Sequence, residues 1–203
     1  MSDSLAQHYL ADAIAAFGDY KKLAEKALAQ VSDEEFFLAL DEEANSIAVI
    51  IKHMSGNMLS RWTDFLTTDG EKPTRHRDME FVVTEQTSKD ELMAQWEQGW
   101  SCLFNALESL QPEDFGKIVL IRGKEHTIVE AINRQLTHYA YHIGQIVFLA
   151  KHFRAAQWKS LSIPRNKSAE FNAYLAEKGG GAARENRFQA PLDFIRESET
   201  KKQ

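Results

Sequence analysis

His138 and His142 lie four residues apart in the run Asn133-Arg134-Gln135-Leu136-Thr137-His138-Tyr139-Ala140-Tyr141-His142-Ile143-Gly144-Gln145. On a helix such a pair shares one face, one turn apart, so both imidazoles can reach a single cation. Well upstream, His53 stands in a second helical stretch, Ile47 to Met58. Three neutral imidazoles from two helices can hold a transition metal and leave a position open for water or substrate. The chemistry on offer is metal-assisted. Seven histidines scattered at random over the chain would give roughly 0.2 pairs at this spacing, so the pair alone decides little. A histidine on a helix is more often a surface or hydrogen-bonded residue than a ligand.

Position strengthens the case. At ~100° per residue, His138 and His142 fall at the edge of the apolar stripe of their helix, and His53 has the same relation to its own. Histidines at the margins of two core-facing stripes can converge in a partly buried cleft, where helical bundles place metals. Arg134 and Asn57 are the candidate catalytic residues beside the candidate metal ligands His53, His138 and His142. Arg134, one turn before His138, carries a planar fork suited to a carboxylate. Asn57, one turn after His53, and Gln145, three residues after His142, can each offer an oxygen to an imidazole N–H. Taken singly, each of these polar residues also fits a solvated helix face, as do Arg61 and Tyr141. His8, His76, His126 and His152 show no pairing, and Cys102, between Trp100 and Leu103, reads as a small core residue. No Gly-rich phosphate loop, Ser-His-Asp ordering or CxxC pair is present.

Four segments have the helical period needed to position these side chains. The first runs from about Ser4 to Ala29, with Ser4 and Gln7 at capping-box spacing. The second covers about Ala44 to Leu66 and ends in the breakers of Thr67 to Pro73. The third opens at Ser88, with Glu91 three residues on, and stops at Gln111-Pro112. The fourth is capped by Thr127 and Glu130 and reaches about Phe153. Between the third and fourth, the β-branched run Ile118-Val119-Leu120-Ile121 before Gly123 predicts a short strand or hairpin arm. Four amphipathic helices of this length most economically pack as a bundle, an all-α fold with a short β-hairpin before the last helix. Residues 1–153 form that unit. Residues 154–203 read as an extended tail: Trp158 to Arg165 is extended, Ser168 to Glu177 fits a short helix, Gly179-Gly180-Gly181 is flexible, and Phe188, Pro191, Leu192, Phe194 and Ile195 follow. Such a tail cannot form its own core and is expected to pack on the bundle or on a second subunit, or to stay partly mobile.

Composition narrows the function. A formal net charge of −6 with no basic block weighs against a nucleic-acid surface. No apolar run approaches the ~20 residues needed to span a bilayer, and the first residues lack the basic and apolar regions of a signal peptide. One cysteine cannot make an intrachain disulfide. A soluble, cytoplasmic protein acting on a small molecule, with neither nucleic acid nor membrane as partner, is the expectation.

The helical His53 followed by Asn57, together with Arg134-Gln135-x-x-His138-x-x-x-His142-x-Gly144-Gln145, resembles the DinB/YfiT-like superfamily of metal-binding four-helix bundles. Order and separation agree over residues 4–153, and Leu161-Ser162-Ile163-Pro164-Arg165 with Phe171-Asn172 resembles one uncharacterised branch of it. The resemblance implies an up-down-down-up bundle holding a divalent ion, nickel or zinc, on His53, His138 and His142. It further implies a thiol-dependent enzyme, an S-transferase working with a low-molecular-weight thiol or a related isomerase, and often a homodimer; water kept on the metal, with its lowered pKa, would instead favour a hydrolase. Two other readings use the same residues: a binding protein without turnover, and a dimeric interaction module whose histidines are structural.

Overall fold

Ser32, Ser46, Ser88 and Thr127 each accept a hydrogen bond on the side-chain hydroxyl from the backbone N–H three residues on, and each starts a helix. At Ser32, Ser88 and Thr127 the glutamate at that third position answers by accepting from the cap's own N–H, completing a capping box that satisfies two otherwise orphaned donors. The computed structural model describes residues 5–178 and 189–200. Within them the helices are α1 (Leu5–Leu28), α2 (Asp33–Phe37), α3 (Ile47–Trp62), α4 (Lys89–Glu108), α5 (Ile128–Arg154), α6 (Ser168–Glu177) and α7 (Gln189–Thr200). One antiparallel hairpin pairs β1 (Ile118–Ile121) with β2 (Lys124–Thr127), in the register Ile118 opposite Thr127 and Ile121 opposite Lys124. The protein is mostly helical with this one small hairpin among the described residues, and none of the described helices is long and apolar enough to cross a membrane.

The second predicted helix is shorter than its periodicity suggests. Ser46 caps it three residues late, and Asp64, at φ 47°, turns the chain out just past Trp62. Two further elements carry no strong period: the one-turn-plus α2, and a 3-10 helix at Arg77–Phe81 that packs on α3. The expected Ser4–Gln7 cap, Gly179-Gly180-Gly181 and Phe188 lie outside the described residues.

α3 packs along α4 and α1 along α5, and α3 also meets α5 while α1 meets α4. Between them Phe17, Met54, Met58, Trp62, Trp96, Trp100, Tyr139 and Ile143 are buried. Phe17 and Tyr139 bring their ring centroids to 5.7 Å, and Trp100 and Tyr139 to 5.9 Å. Each such side chain contributes about 1.5–3 kcal/mol by leaving water. The Tyr139 hydroxyl accepts from Trp62 Nε1 (3.2 Å) and donates to Asn57 Oδ1 (3.0 Å), so this polar chain is satisfied inside the core. Gly99 allows the close α3–α4 approach: a Cβ there would meet Ser55 Cα at 3.3 Å and Met58 Cε at 2.9 Å.

The tail is less extended than its composition suggests. Gln30 of the α1–α2 link brackets Lys159, its Oε1 accepting from the backbone N–H (2.8 Å) and its Nε2 donating to the carbonyl (3.1 Å). α6 forms where predicted, and α7 is a helix in a stretch for which the sequence suggested no element. Pro191 falls in its first turn, where the missing N–H has no intrahelical partner to lose. Phe194 of α7 packs at 5.5 Å from both Phe171 and Tyr174 of α6, and Leu192 reaches the main core.

Candidate metal centre

α3 and α5 carry the three histidines to one point. His138 Nε2 lies 3.4 Å from His53 Nε2 and 3.1 Å from His142 Nε2, and the three ligand atoms all fall within 4.8 Å of one another. His53 and His142 are buried and His138 is partly so.

The opposite ring nitrogens determine what this convergence means. Each Nδ1 faces an oxygen: Glu80 Oε2 on His53 at 2.8 Å, Gln145 Oε1 on His142 at 2.8 Å, and Gln135 Oε1 on His138 at 3.4 Å. Gln145 is oriented by its own Nε2, which donates to Tyr141 Oη (3.2 Å) and turns the carbonyl oxygen to the imidazole. With an acceptor on every Nδ1, the proton of each neutral ring belongs there, and every Nε2 presents a lone pair to the other two. Three lone pairs at such spacing repel one another unless a cation lies among them. A metal–nitrogen bond of ~2.0–2.1 Å puts two ligand nitrogens about 3.0 Å apart at a right angle and about 3.4 Å apart at the tetrahedral angle. The two separations from His138, 3.1 and 3.4 Å, match that range, and the three-histidine cluster can hold a metal ion.

Electrostatics keep His138 and His142 in the ligating form. Burial lowers the pKa of His138 to about 3, assisted by repulsion from His142 and His53. Burial likewise lowers His142 to about 4, against the opposing hydrogen bond to Gln145. Burial opposes ionisation of Glu80, but hydrogen bonds from His53 and Arg75, with the Arg75 charge, outweigh it and hold this carboxyl below its usual range. Arg75 grips Glu80 with two bonds, Nε to Oε1 at 2.7 Å and Nη2 to Oε2 at 2.9 Å. Such a fork fixes the carboxylate in both position and plane.

Gly56 makes room for that carboxylate. A Cβ at this position of α3 would meet Glu80 Cδ at 2.9 Å and overlap Oε1. The glycine is there for close approach, since its backbone is helical.

A cavity of about 370 Å³ opens beside the triad, with His53, His138, Asn57 and Arg134 in its wall. Both candidate catalytic residues therefore border the histidine cluster. Arg134 is exposed at the cleft. Asn57 is buried with its Oδ1 turned to Tyr139, and the oxygen on His53 comes from Glu80. Arg61 also lines the cavity and donates to the carbonyl of Gly70 and to Glu71 (2.8 Å).

Glu80 and Arg75 escape the sequence reading, and Gln135 enters it only within the motif, without a role. Gln135 had a usable signal, because it precedes His138 by the same three positions by which Gln145 follows His142. Glu80 and Arg75 had none: they come from a linker without periodicity, and only the folded chain brings them under α3.

The architecture and site define a mostly helical protein with a buried three-histidine cluster at a polar cleft. The chain matches, over residues 4–167, the family described as Protein of unknown function (DUF1572), and it belongs to that family. No curated protein matches it, and no solved structure does.

Proposed function

We propose that the chain is a divalent-metal protein of the DinB/YfiT-like kind, in which α1, α3, α4 and α5 form an up-down-down-up four-helix bundle and His53, His138 and His142 hold nickel or zinc. The observation that carries this reading is the set of three Nε2 lone pairs turned on one point while every Nδ1 is held by an oxygen. Orienting oxygens behind ligating imidazoles are the usual support of a metal site, and here they come from Glu80, Gln135 and Gln145.

In this reading the protein is an enzyme of thiol S-transferase or hydrolase type acting on a small molecule in the cleft, with a low-molecular-weight thiol as co-substrate in the first case. A divalent ion supplies Lewis acidity there, which favours thiolate or hydroxide at neutral pH. Arg134 holds an anionic group of the substrate, and Asn57 keeps the wall of the cleft fixed through Tyr139. The protein acts in the cytoplasm as a homodimer in this reading.

Metal content of the untagged chain, measured by mass spectrometry for wild type and His138→Ala, tests the site. Close to one divalent ion per wild-type chain and loss in the variant are expected. Full occupancy in His138→Ala, or no uptake by wild type from nickel or zinc, removes the metal centre. A panel of thiols with electrophilic acceptors and of hydrolysable amides and esters then tests turnover, with His138→Ala as the inactive control.

A further inference from the structure

We infer that the cleft beside the histidines is a binding site for a multiply charged organic anion, its phosphate or carboxylate groups gripped by Arg77, Arg122 and Arg134. That this anion is the substrate rests on the metal reading above; that it binds does not.

Among the described residues five arginines line the cavity, Arg61, Arg75, Arg77, Arg122 and Arg134, and no aspartate or glutamate does, in a chain whose formal net charge is −6. Arg61 and Arg75 are buried and committed to Glu71 and Glu80. The other three stand at the rim and come from three separate elements: the 3-10 helix, the hairpin turn and α5. The Arg134 guanidinium makes no hydrogen bond or ion pair among the described residues, and that helix position is exposed. Arg77 lies over the Phe81 ring at 5.1 Å, and Phe81 in turn packs on His53 at 5.0 Å. Its nearest carboxylate, Asp78 at 4.0 Å, is fully exposed and neutralises little. Arg122 reaches Glu71 at 3.4 Å, but that carboxylate is already shared by Arg61 and Arg75.

The backbone at Arg122 supplies an independent argument. Arg122 (φ 55°) and Gly123 (φ 70°) are both left-handed and form the two-residue turn between β1 and β2. Such a turn strongly favours asparagine, aspartate or glycine at its first position, because a long side chain with an ordinary Cβ is disfavoured there. Asp69 holds the turn in place, its carboxylate accepting from the N–H groups of Arg122 (2.8 Å) and Gly123 (2.6 Å). The chain thus keeps an arginine where folding alone asks for a smaller residue, and it aims that residue into the cleft. Left-handed residues kept against preference concentrate at functional sites. Planar guanidinium forks converging from three directions suit phosphate or carboxylate oxygens. A cavity of about 370 Å³ suits a small metabolite.

The test is calorimetric titration of the metal-loaded full chain with phenyl phosphate and with glutarate, beside phenol and glutaramide as neutral comparators. Wild type, Arg122→Asn and Arg134→Gln are compared, and metal content is measured on the same samples. At least one anion is expected to bind in preference to its neutral comparator, and which of the two binds tells phosphate from dicarboxylate recognition. Its affinity should fall about tenfold or more in each variant and weaken with added salt, with metal content unchanged. Arg122→Asn should melt no lower than wild type, because Asn-Gly suits the turn. No binding of either anion, equal binding of the neutral comparators, or unchanged affinity in both variants overturns the inference. Should wild type prove metal-free yet bind an anion through these arginines, the anion site stands and the metal reading falls.

Discussion

Glu80 Oε2 lies 2.8 Å from Nδ1 of His53, joining a loop carboxylate to a helical imidazole 27 residues away in the chain. This one bond fixes which nitrogen of His53 carries the proton, and therefore which nitrogen faces His138 and His142. The carboxylate is buried and locked by the Arg75 fork, so the imidazole is oriented by a group that cannot itself turn away. Glu80→Gln should therefore keep the fold but release that control, since an amide can present its NH2 group to His53 and leaves Arg75 only its share of Glu71. Groups behind metal-ligating histidines typically cost about 10–100-fold in metal affinity when replaced. A zinc titration against a competing chelator dye checks this, and an unchanged affinity would show that Glu80 serves only Arg75.

Gly56→Ala should reach the same site from the backbone side. Alanine is favoured over glycine inside a helix by about 1 kcal/mol, so propensity alone raises the melting temperature. Here the added methyl collides with Glu80, whose Cδ would lie 2.9 Å away. Metal affinity is expected to drop while global stability gains nothing, measured by the same dye competition beside thermal melting. A clear rise in melting temperature with full metal affinity would mean that Glu80 shifts freely.

Much of this was legible before folding, and the reason is spacing. His138 and His142 share a helix, so their relation is fixed by the 3.6-residue period alone, and the caps at Ser88 and Thr127 announce two of the helices. His53 was placed by its position on an apolar margin. The convergence of α3 on α5 is a tertiary fact that no local pattern contains. Arg75 and Glu80 sit in a segment tied by their own ion pair and by the contact of Glu80 with His53, and nothing in the sequence sets Arg122 apart, whereas its left-handed φ does. Helix α7 was not foreseen around Pro191, Leu192, Phe194 and Ile195, although a proline in the first turn of a helix is harmless.

The depressed histidines give the metal-stripped protein a pH signature. In the folded chain His138 and His142 have pKa values near 3 and 4, against 6.5 for the free side chain. Below 6.5 the unfolded chain takes up protons that the folded chain refuses, so stability falls as the pH drops from about 6.5 toward 4 and receives no contribution from these rings above 6.5. Glu80, whose folded pKa is lowered, acts in the same direction at the acid end of that window. Melting temperatures of chelator-treated wild type and of the double variant His138→Ala/His142→Ala, taken between pH 7.5 and pH 4.5, should therefore diverge in slope, with wild type the steeper. Parallel curves would mean that the rings are solvated enough to protonate in the folded state.

Tyr139→Phe separates the core from the site. The Tyr139 hydroxyl bridges Trp62 Nε1 and Asn57 Oδ1, all three groups being buried, and the ring packs on Phe17 and Trp100 in a way phenylalanine can repeat. Removing the oxygen leaves a buried indole N–H and a buried amide oxygen without a partner, at about 1–3 kcal/mol for a group so stranded. Denaturant unfolding should show that loss with the slope unchanged. The histidines keep their own oxygens, so metal content should remain at the wild-type level. Activity decides the role of Asn57: a carboxamide that merely braces the wall leaves turnover close to normal in the variant, whereas one that touches substrate, released from Tyr139 and free to rotate, lowers kcat out of proportion to the stability lost.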